Sequence, residues 1–309
     1  MPALCVSTGL ASLNDSFWDF YWESHLAFLQ GQGKGFAIQS ASQILRGSTK
    51  PARILELGCG EGQILGSLLQ AHPEKIQVSS SMGVDRDDDA LGKARRDYPG
   101  LQFLSGSFTD ARYLSTLGKF DLILLVNALH HAFSDAYDEE LGQIDEQAGK
   151  QNVAQTFAAI CTYLNPGGYL LLFDGVEANT DAQQWIEFRF RHPAGRQRFE
   201  QFTREYLPFR IQSQPGSTAD SVCLRQRDFT RYITKLIFVG KPLWERERRE
   251  SYQYFNESEF CAMFDQNELS IVHNEIISVD YERWQDEIEL ITAGIEFPPE
   301  HILLVGQRC

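Results

Sequence analysis

The sequence predicts a doubly wound α/β fold, a mostly parallel sheet covered by helices on both faces, with a helical cap inserted late in the chain. Three observations carry that prediction. Apolar runs of strand length alternate with helical periodicities from Arg53 to Asp174. Several of those runs, Leu122 to Val126 above all, are continuous rather than alternating, as strands buried on both faces are. A glycine-rich turn joins the first run to the helical pattern that follows it.

Taken in order, Ser16 to Gln30 reads as an aromatic helix stopped at Gly31, and Phe36 to Leu45 as a second helix stopped at Gly47. Arg53 to Leu57 is a short strand running into Gly58-Cys59-Gly60-Glu61-Gly62, and Ile64, Leu65, Leu68 and Leu69 recur at helical spacing behind it. Gln77 to Asp85 is a strand, Asp87 to Tyr98 a helix, and Leu101 to Leu104 and Phe120 to Val126 are strands. A polar loop from Ser134 to Lys150 leads to a helix over Val153 to Leu164 and a strand over Tyr169 to Asp174. The alternation then stops. Residues 176 to 255 hold 14 of the 37 aromatic side chains, enough to build their own packing. Helices are expected there over Asp181 to Arg191, Arg196 to Tyr206 and Asp228 to Val239. Asn256 and Glu259 resemble a capping box that opens a helix to Gln266. Strands follow at Ser270 to Val279 and His301 to Val305, around a helical stretch from Trp284 to Thr292. One domain is expected: an N-terminal helical lid over 1–50, a core over 51–175 and 256–309, and the cap over 176–255.

Composition narrows the function. The 309 residues carry 42 acidic and 28 basic side chains, a net charge of −14, so general affinity for nucleic acid is not expected. Six scattered cysteines form no CxxC pair and no zinc-finger spacing, which points to a reducing compartment and to no structural metal. The N-terminus lacks the basic start and apolar core of a signal peptide, and no run is long enough to span a bilayer. A cytoplasmic protein without membrane attachment is the expectation, and a homo-oligomer is compatible with it.

The chemistry centres on the glycine turn. Glycines there let the backbone turn tightly and approach a ligand, and the helix that follows offers free N–H groups. Neither glycine register completes the G-x-G-x-x-G of dinucleotide binders, and the lysine of a phosphate-cradling loop is absent. The pattern that stands here, Glu56-x-Gly58-x-Gly60-x-Gly62, resembles motif I of the class I S-adenosylmethionine-dependent methyltransferases. The resemblance continues through Gly83-Val84-Asp85, through Phe103 to Phe108, through Phe120 to His131 with its Leu129-His130-His131 ending, and through Leu164-Asn165-Pro166-Gly167-Gly168. It covers 53 to 174 well and 256 to 307 loosely, and is nearest to small-molecule enzymes related to quinone biosynthesis.

The resemblance implies a mostly parallel seven-stranded sheet, and S-adenosylmethionine as cofactor. It places cofactor contacts on Glu56, Gly58, Cys59, Gly60 and Gly62, on Asp85 and Arg86, on Gly106, Ser107 and Phe108, and on Asn127. Asp85 falls where the family holds the ribose hydroxyls, and a carboxylate suits two neighbouring O–H donors. Ser107 stands where many members have an aspartate. His131, and after it His130, can take a proton from an acceptor hydroxyl; both can equally be packed histidines. Tyr21, Trp22 and Trp185 are candidate aromatic walls for the substrate. Trp185 to Glu250 holds 14 basic against 8 acidic residues, a net +6, so Arg189 and Arg231 are candidates to grip an acidic acceptor. Methyl transfer to a small organic acceptor follows, oxygen ahead of carbon or nitrogen. A macromolecule-directed methyltransferase and a non-catalytic cofactor-binding partner are the rival readings.

Overall fold

The computed structural model describes residues 34–179, 181–278 and 281–309. The expected helix over 16 to 30, with Tyr21 and Trp22, lies outside them. Helix α1 (Gly35–Gly47) is followed by β1 (Ile54–Leu57), α2 (Gln63–Ala71), β2 (Met82–Asp85), α3 (Asp88–Asp97), β3 (Gln102–Ser105), α4 (Ala111–Leu114) and β4 (Phe120–Val126). Next come α5 (His130–Ser134), a small hairpin of β5 (Tyr137–Asp138) and β6 (Gln143–Ile144), α6 (Glu146–Cys161) and β7 (Leu164–Gly175). The inserted segment holds β8 (Trp185–Phe190), α7 (Pro193–Glu205), β9 (Ser213–Pro215), β10 (Ser221–Arg225), α8 (Gln226–Lys235) and α9 (Trp244–Glu247). The chain ends with α10 (Glu257–Gln266), β11 (Leu269–Ile277), α11 (Tyr281–Glu287), β12 (Ile288–Leu290) and β13 (His301–Arg308).

Seven strands form the main sheet in the order β11-β13-β7-β4-β1-β2-β3. The five from β3 to β7 are parallel, and β13 runs antiparallel between β7 and β11. The order reverses direction between β1 and β4. In such sheets the strand ends on either side of the reversal splay apart and leave a crevice at their carboxyl ends. Two apolar cores fill the two faces. Ala37, Ile38 and Leu45 of α1 join Leu65, Leu68 and Leu91 on one side. Phe133, Phe157, Phe260 and Phe264 fill the other, continuous with the inserted segment's Phe188, Phe199, Phe202 and Tyr232.

The inserted segment departs from a purely helical cap. Its residues 185–190 form a strand where a helix was expected, in a four-stranded antiparallel sheet ordered β12-β8-β10-β9. The reason is legible: Ile186, Phe188 and Phe190 are buried while Trp185, Glu187 and Arg189 are only half-buried, the period-two pattern of a one-sided strand. Strand β12 comes from 288–290, so the long connection before the last strand builds onto the inserted segment. The expected strand over Gln77 to Asp85 shortens to β2, preceded by a single helical turn at Val78–Ser80. Helix α6 begins seven residues before the expected start, because Asp145 accepts hydrogen bonds from the Gln147 and Ala148 amides and opens it there. The capping box at Asn256 and Glu259 is formed in both directions, at 2.9 Å each way. Among the described residues no helix is long and apolar enough to cross a membrane.

Candidate active site

At the end of β1 the chain must reverse into α2 within a few residues, and Gly58, Gly60 and Gly62 all take left-handed φ values of 73°, 51° and 71°. The turn is lashed to β2. The Gly58 and Cys59 amides both donate to the Val84 carbonyl, at 2.8 and 3.0 Å. The Gly60 amide donates to Asp85 Oδ2 at 2.7 Å, and the Asp87 amide to Asp85 Oδ1 at 2.9 Å. Asp85 therefore shapes the turn and still offers a lone pair on each oxygen. Gly62 serves packing: a Cβ there would fall 2.4 Å from the Phe103 ring. Glu56 is buried beneath the turn and accepts the Leu65 amide at 3.1 Å, inside the first turn of α2. Burial pushes its carboxyl up to about 8, partly offset by Lys34. Burial likewise holds the Lys34 ammonium down to about 8, against the pull of Glu56.

Lys34, Glu56, Gly58, Cys59, Gly60 and Asp85 line one open cavity. Asn127, just past β4, projects from a left-handed backbone at φ 48°, and its buried Oδ1 finds no hydrogen-bond partner among the described residues. The opposite wall comes from the inserted segment and its return: Thr234, Arg246, Glu247, Glu250 and Tyr252. Fully buried Lys235 supports that wall, with Nζ 2.7 Å from Glu247 Oε2 and 3.4 Å from the centre of the Tyr252 ring. The Tyr252 hydroxyl also donates to Glu247.

A histidine cluster joins the two walls. Asp174, at the end of β7, accepts the His130 amide at 3.0 Å and lies 2.7 Å from His130 Nδ1. The Tyr254 hydroxyl donates to the same carboxylate at 3.1 Å. His130 Nε2 and His131 Nδ1 each lie 3.5 Å from one oxygen of Glu250. Burial would lower the His130 pKa, but the Asp174 and Glu250 carboxylates raise it to about 9. For His131 burial wins, and its pKa is lowered. Burial would raise the Glu250 carboxyl, yet the two imidazoles hold it well below the usual carboxylate range.

The structure thus brings together Glu56, Gly58, Cys59, Gly60, Asp85, Asn127, His130 and His131 around one cavity. It does not bring the others there. Arg86 is half exposed and pairs with Asp135 at 3.5 Å. Gly106 packs under the Tyr113 ring, Ser107 is tied to Thr109 at 2.7 Å, and Phe108 is buried in the core. Arg189 pairs with Glu289 at 2.7 Å on the inserted sheet, and Trp185 lies under the Arg225 guanidinium at 4.2 Å. Arg231 is buried against Asp228 and the Phe209 ring, at 3.0 and 3.5 Å. None of these three cap candidates lines the cavity: Arg189 is drawn to Glu289, Arg231 to Asp228, and Trp185 packs under Arg225. The sequence reading missed Lys34, Glu247, Glu250 and Tyr252. The signal that could have found the last three is the dense charged run Glu245 to Glu250 ahead of Tyr252, too polar for a plain core helix.

A family model described as a methyltransferase domain matches residues 48–205, just over half of the chain. No curated protein matches it by sequence. Solved structures resemble it at low identity. A SAM-bound amino pentose methyltransferase from Micromonospora echinaspora is 14% identical, with 96% of this chain and 98% of that one covered and a TM-score of 0.45. A S-adenosylmethionine-dependent methyltransferase from Mesorhizobium loti is 18% identical, over 87% and 96%, with a TM-score of 0.46. An O-methyltransferase family protein from Burkholderia thailandensis is 14% identical with a TM-score of 0.46; the match takes in 87% of this chain but only 55% of that longer one. By the domain match, which spans the glycine turn, Asp85, the histidine pair and Asp174, the chain belongs to the methyltransferase-domain family.

Proposed function

We propose that this enzyme transfers a methyl group from S-adenosylmethionine to a small organic acceptor held between the glycine turn and the inserted segment. The observation that carries the reading is the single cavity with the motif residues on one wall and Glu250 and Tyr252 on the other. The cofactor, when bound, supplies an already activated methyl on a sulfonium. The chain's own task is then to hold the acceptor in line and keep water out.

Its residues fit that group. Asp85 has lone pairs left for ribose hydroxyls, and the buried Glu56, which lines the same cavity, is a carboxyl available to the ammonium. The orphaned Asn127 Oδ1 awaits a donor at the strand-order reversal. Ala90 and Ile64, which line the cavity, offer the adenine an apolar face. His130 and His131 line the same cavity as Glu250, and a hydroxyl acceptor beside them would find that carboxylate as a hydrogen-bond partner, which favours oxygen. With Arg189 and Arg231 turned elsewhere, a neutral polar acceptor fits this wall better than an acidic one.

Tritium-labelled cofactor incubated with the protein and separated metabolite, protein and RNA fractions tests this. Label is expected in the metabolite fraction. Label confined to a macromolecular fraction would instead make the enzyme macromolecule-directed. Cofactor binding without label anywhere would make the chain a non-catalytic partner.

A further inference from the structure

We propose that His130, His131 and Glu250 bind one divalent cation of the zinc class, its open position facing the acceptor half of the cavity. His130 Nε2 lies 3.5 Å from Glu250 Oε2, and His131 Nδ1 lies 3.5 Å from Glu250 Oε1. One ligand atom from each of the three residues falls within 4.8 Å of the others. Separations of 3.5 Å are too long for good hydrogen bonds. Each runs to a different oxygen of the one carboxylate and is close to the edge of a tetrahedral zinc site, where bonds of about 2.1 Å put neighbouring ligands about 3.4 Å apart; the 4.8 Å span of the three ligand atoms contracts by about 1.4 Å to close on the ion.

The surroundings of His130 support the same assignment independently. Its Nδ1 is engaged by Asp174 at 2.7 Å, and Asp174 is itself fixed by the His130 and Gly175 amides and the Tyr254 hydroxyl. With Nδ1 donating to Asp174, His130 would release its Nε2 proton as the cation binds, and that nitrogen lies on the side of Glu250 and the cavity. A carboxylate behind a ligating imidazole sets the ring's tautomer and direction in metal centres. Two histidines and one carboxylate are a ligand set suited to zinc, and three protein ligands leave a place for substrate. All three residues line the cavity.

The role, unlike the site, rests on the methyl-transfer reading. The cation would take an acceptor bearing a ligating oxygen: a phenol, an enol or a hydroxyl beside a second oxygen. On binding, the acceptor O–H gives its proton to solvent. The oxygen lone pair then forms the O–C bond to the methyl as the S–C bond breaks, its electron pair staying on sulfur as a neutral thioether.

The test is a zinc chloride titration of the chelator-stripped full chain against a chromophoric chelator. One equivalent is expected, with His131→Ala and Glu250→Gln each weakening it at least tenfold. His273→Ala, an exposed histidine beside Glu275 on β11, should bind zinc as the wild type does. Melting curves identify any variant that fails to fold; Glu250→Gln, nearly isosteric, decides if His131→Ala does. No stoichiometric zinc in the wild type, or unchanged affinity in folded variants, overturns the site. Titrating S-adenosylmethionine into the same preparations keeps the two ideas apart. Cofactor binding without zinc removes the cation site alone, and zinc binding without cofactor removes the methyl-transfer reading alone.

Discussion

Glu56 shows how a single side chain in this site is bound up with stability. Its carboxyl is buried and pushed up to about 8 from an ordinary 4.5. Between those values the folded chain keeps a proton that the unfolded chain releases. The stability it contributes is therefore fully present below about pH 4.5 and is lost as pH rises through about 8. Lys34, lowered from 10.5 to about 8, acts only above that window and with the opposite slope. Melting curves of the ligand-free protein between pH 5 and 8 should fall more steeply for wild type than for Glu56→Gln, by up to about 1.4 kcal/mol per pH unit at the steepest. Parallel curves would mean that Glu56 ionises normally. The sequence displayed Glu56, Asp85 and the histidine pair because each belongs to a local pattern at a strand end. Glu250 could not be seen that way: it lies far along the chain from His131 and meets it only because the inserted segment folds back.

The elements carry the next level of precision. Gly175, the last residue of β7, meets the returning chain so closely that a Cβ would lie 2.6 Å from both the Tyr252 Cβ and its carbonyl oxygen. Neither atom can swing aside, so Gly175→Ala must displace the segment bearing Tyr252, whose ring sits 4.8 Å from that of His130. Overpacking of this kind costs roughly 1–3 kcal/mol. We expect a melting temperature several degrees lower, cofactor affinity nearly unchanged, and kcat/KM down roughly tenfold or more, since misplacement by about 1 Å can cost about a hundredfold. Normal turnover in Gly175→Ala would separate the return segment from the acceptor site. Element prediction succeeded where periodicity and caps agreed, as for α10 with its capping box. It failed at β8, where the aromatic content of the segment suggested helix although Ile186, Phe188 and Phe190 already alternate, and at α6, whose polar first turns hid behind Asp145.

For the whole molecule the charge imbalance turns out to be structural. The basic inserted segment meets the acidic core through Arg227 with Glu146 at 2.7 Å and through Arg246 with Asp87 at 3.5 Å. Its arginines therefore seat the insertion over the cavity and do not enter it, apart from Arg246 at the rim. A glutamine scan of Arg189, Arg191 and Arg225 should leave kcat/KM within about twofold, as exposed pairs contribute little. Arg231→Gln should instead destabilise the fold by roughly 3–5 kcal/mol, since it strands the Asp228 carboxylate in a buried pair. A large KM effect at Arg189 would return the acidic acceptor to consideration. The central claim is that the glycine turn and Asp85 hold S-adenosylmethionine, and calorimetric titration of that cofactor into wild type and Asp85→Ala tests it most directly. The expected result is one saturable site, weakened about ten- to a hundredfold in Asp85→Ala by loss of roughly 1.5–3 kcal/mol of charged hydrogen bonding, with the melting transition retained and no response to NAD. Equal affinity in a folded Asp85→Ala, or saturable micromolar binding of NAD, would contradict the account.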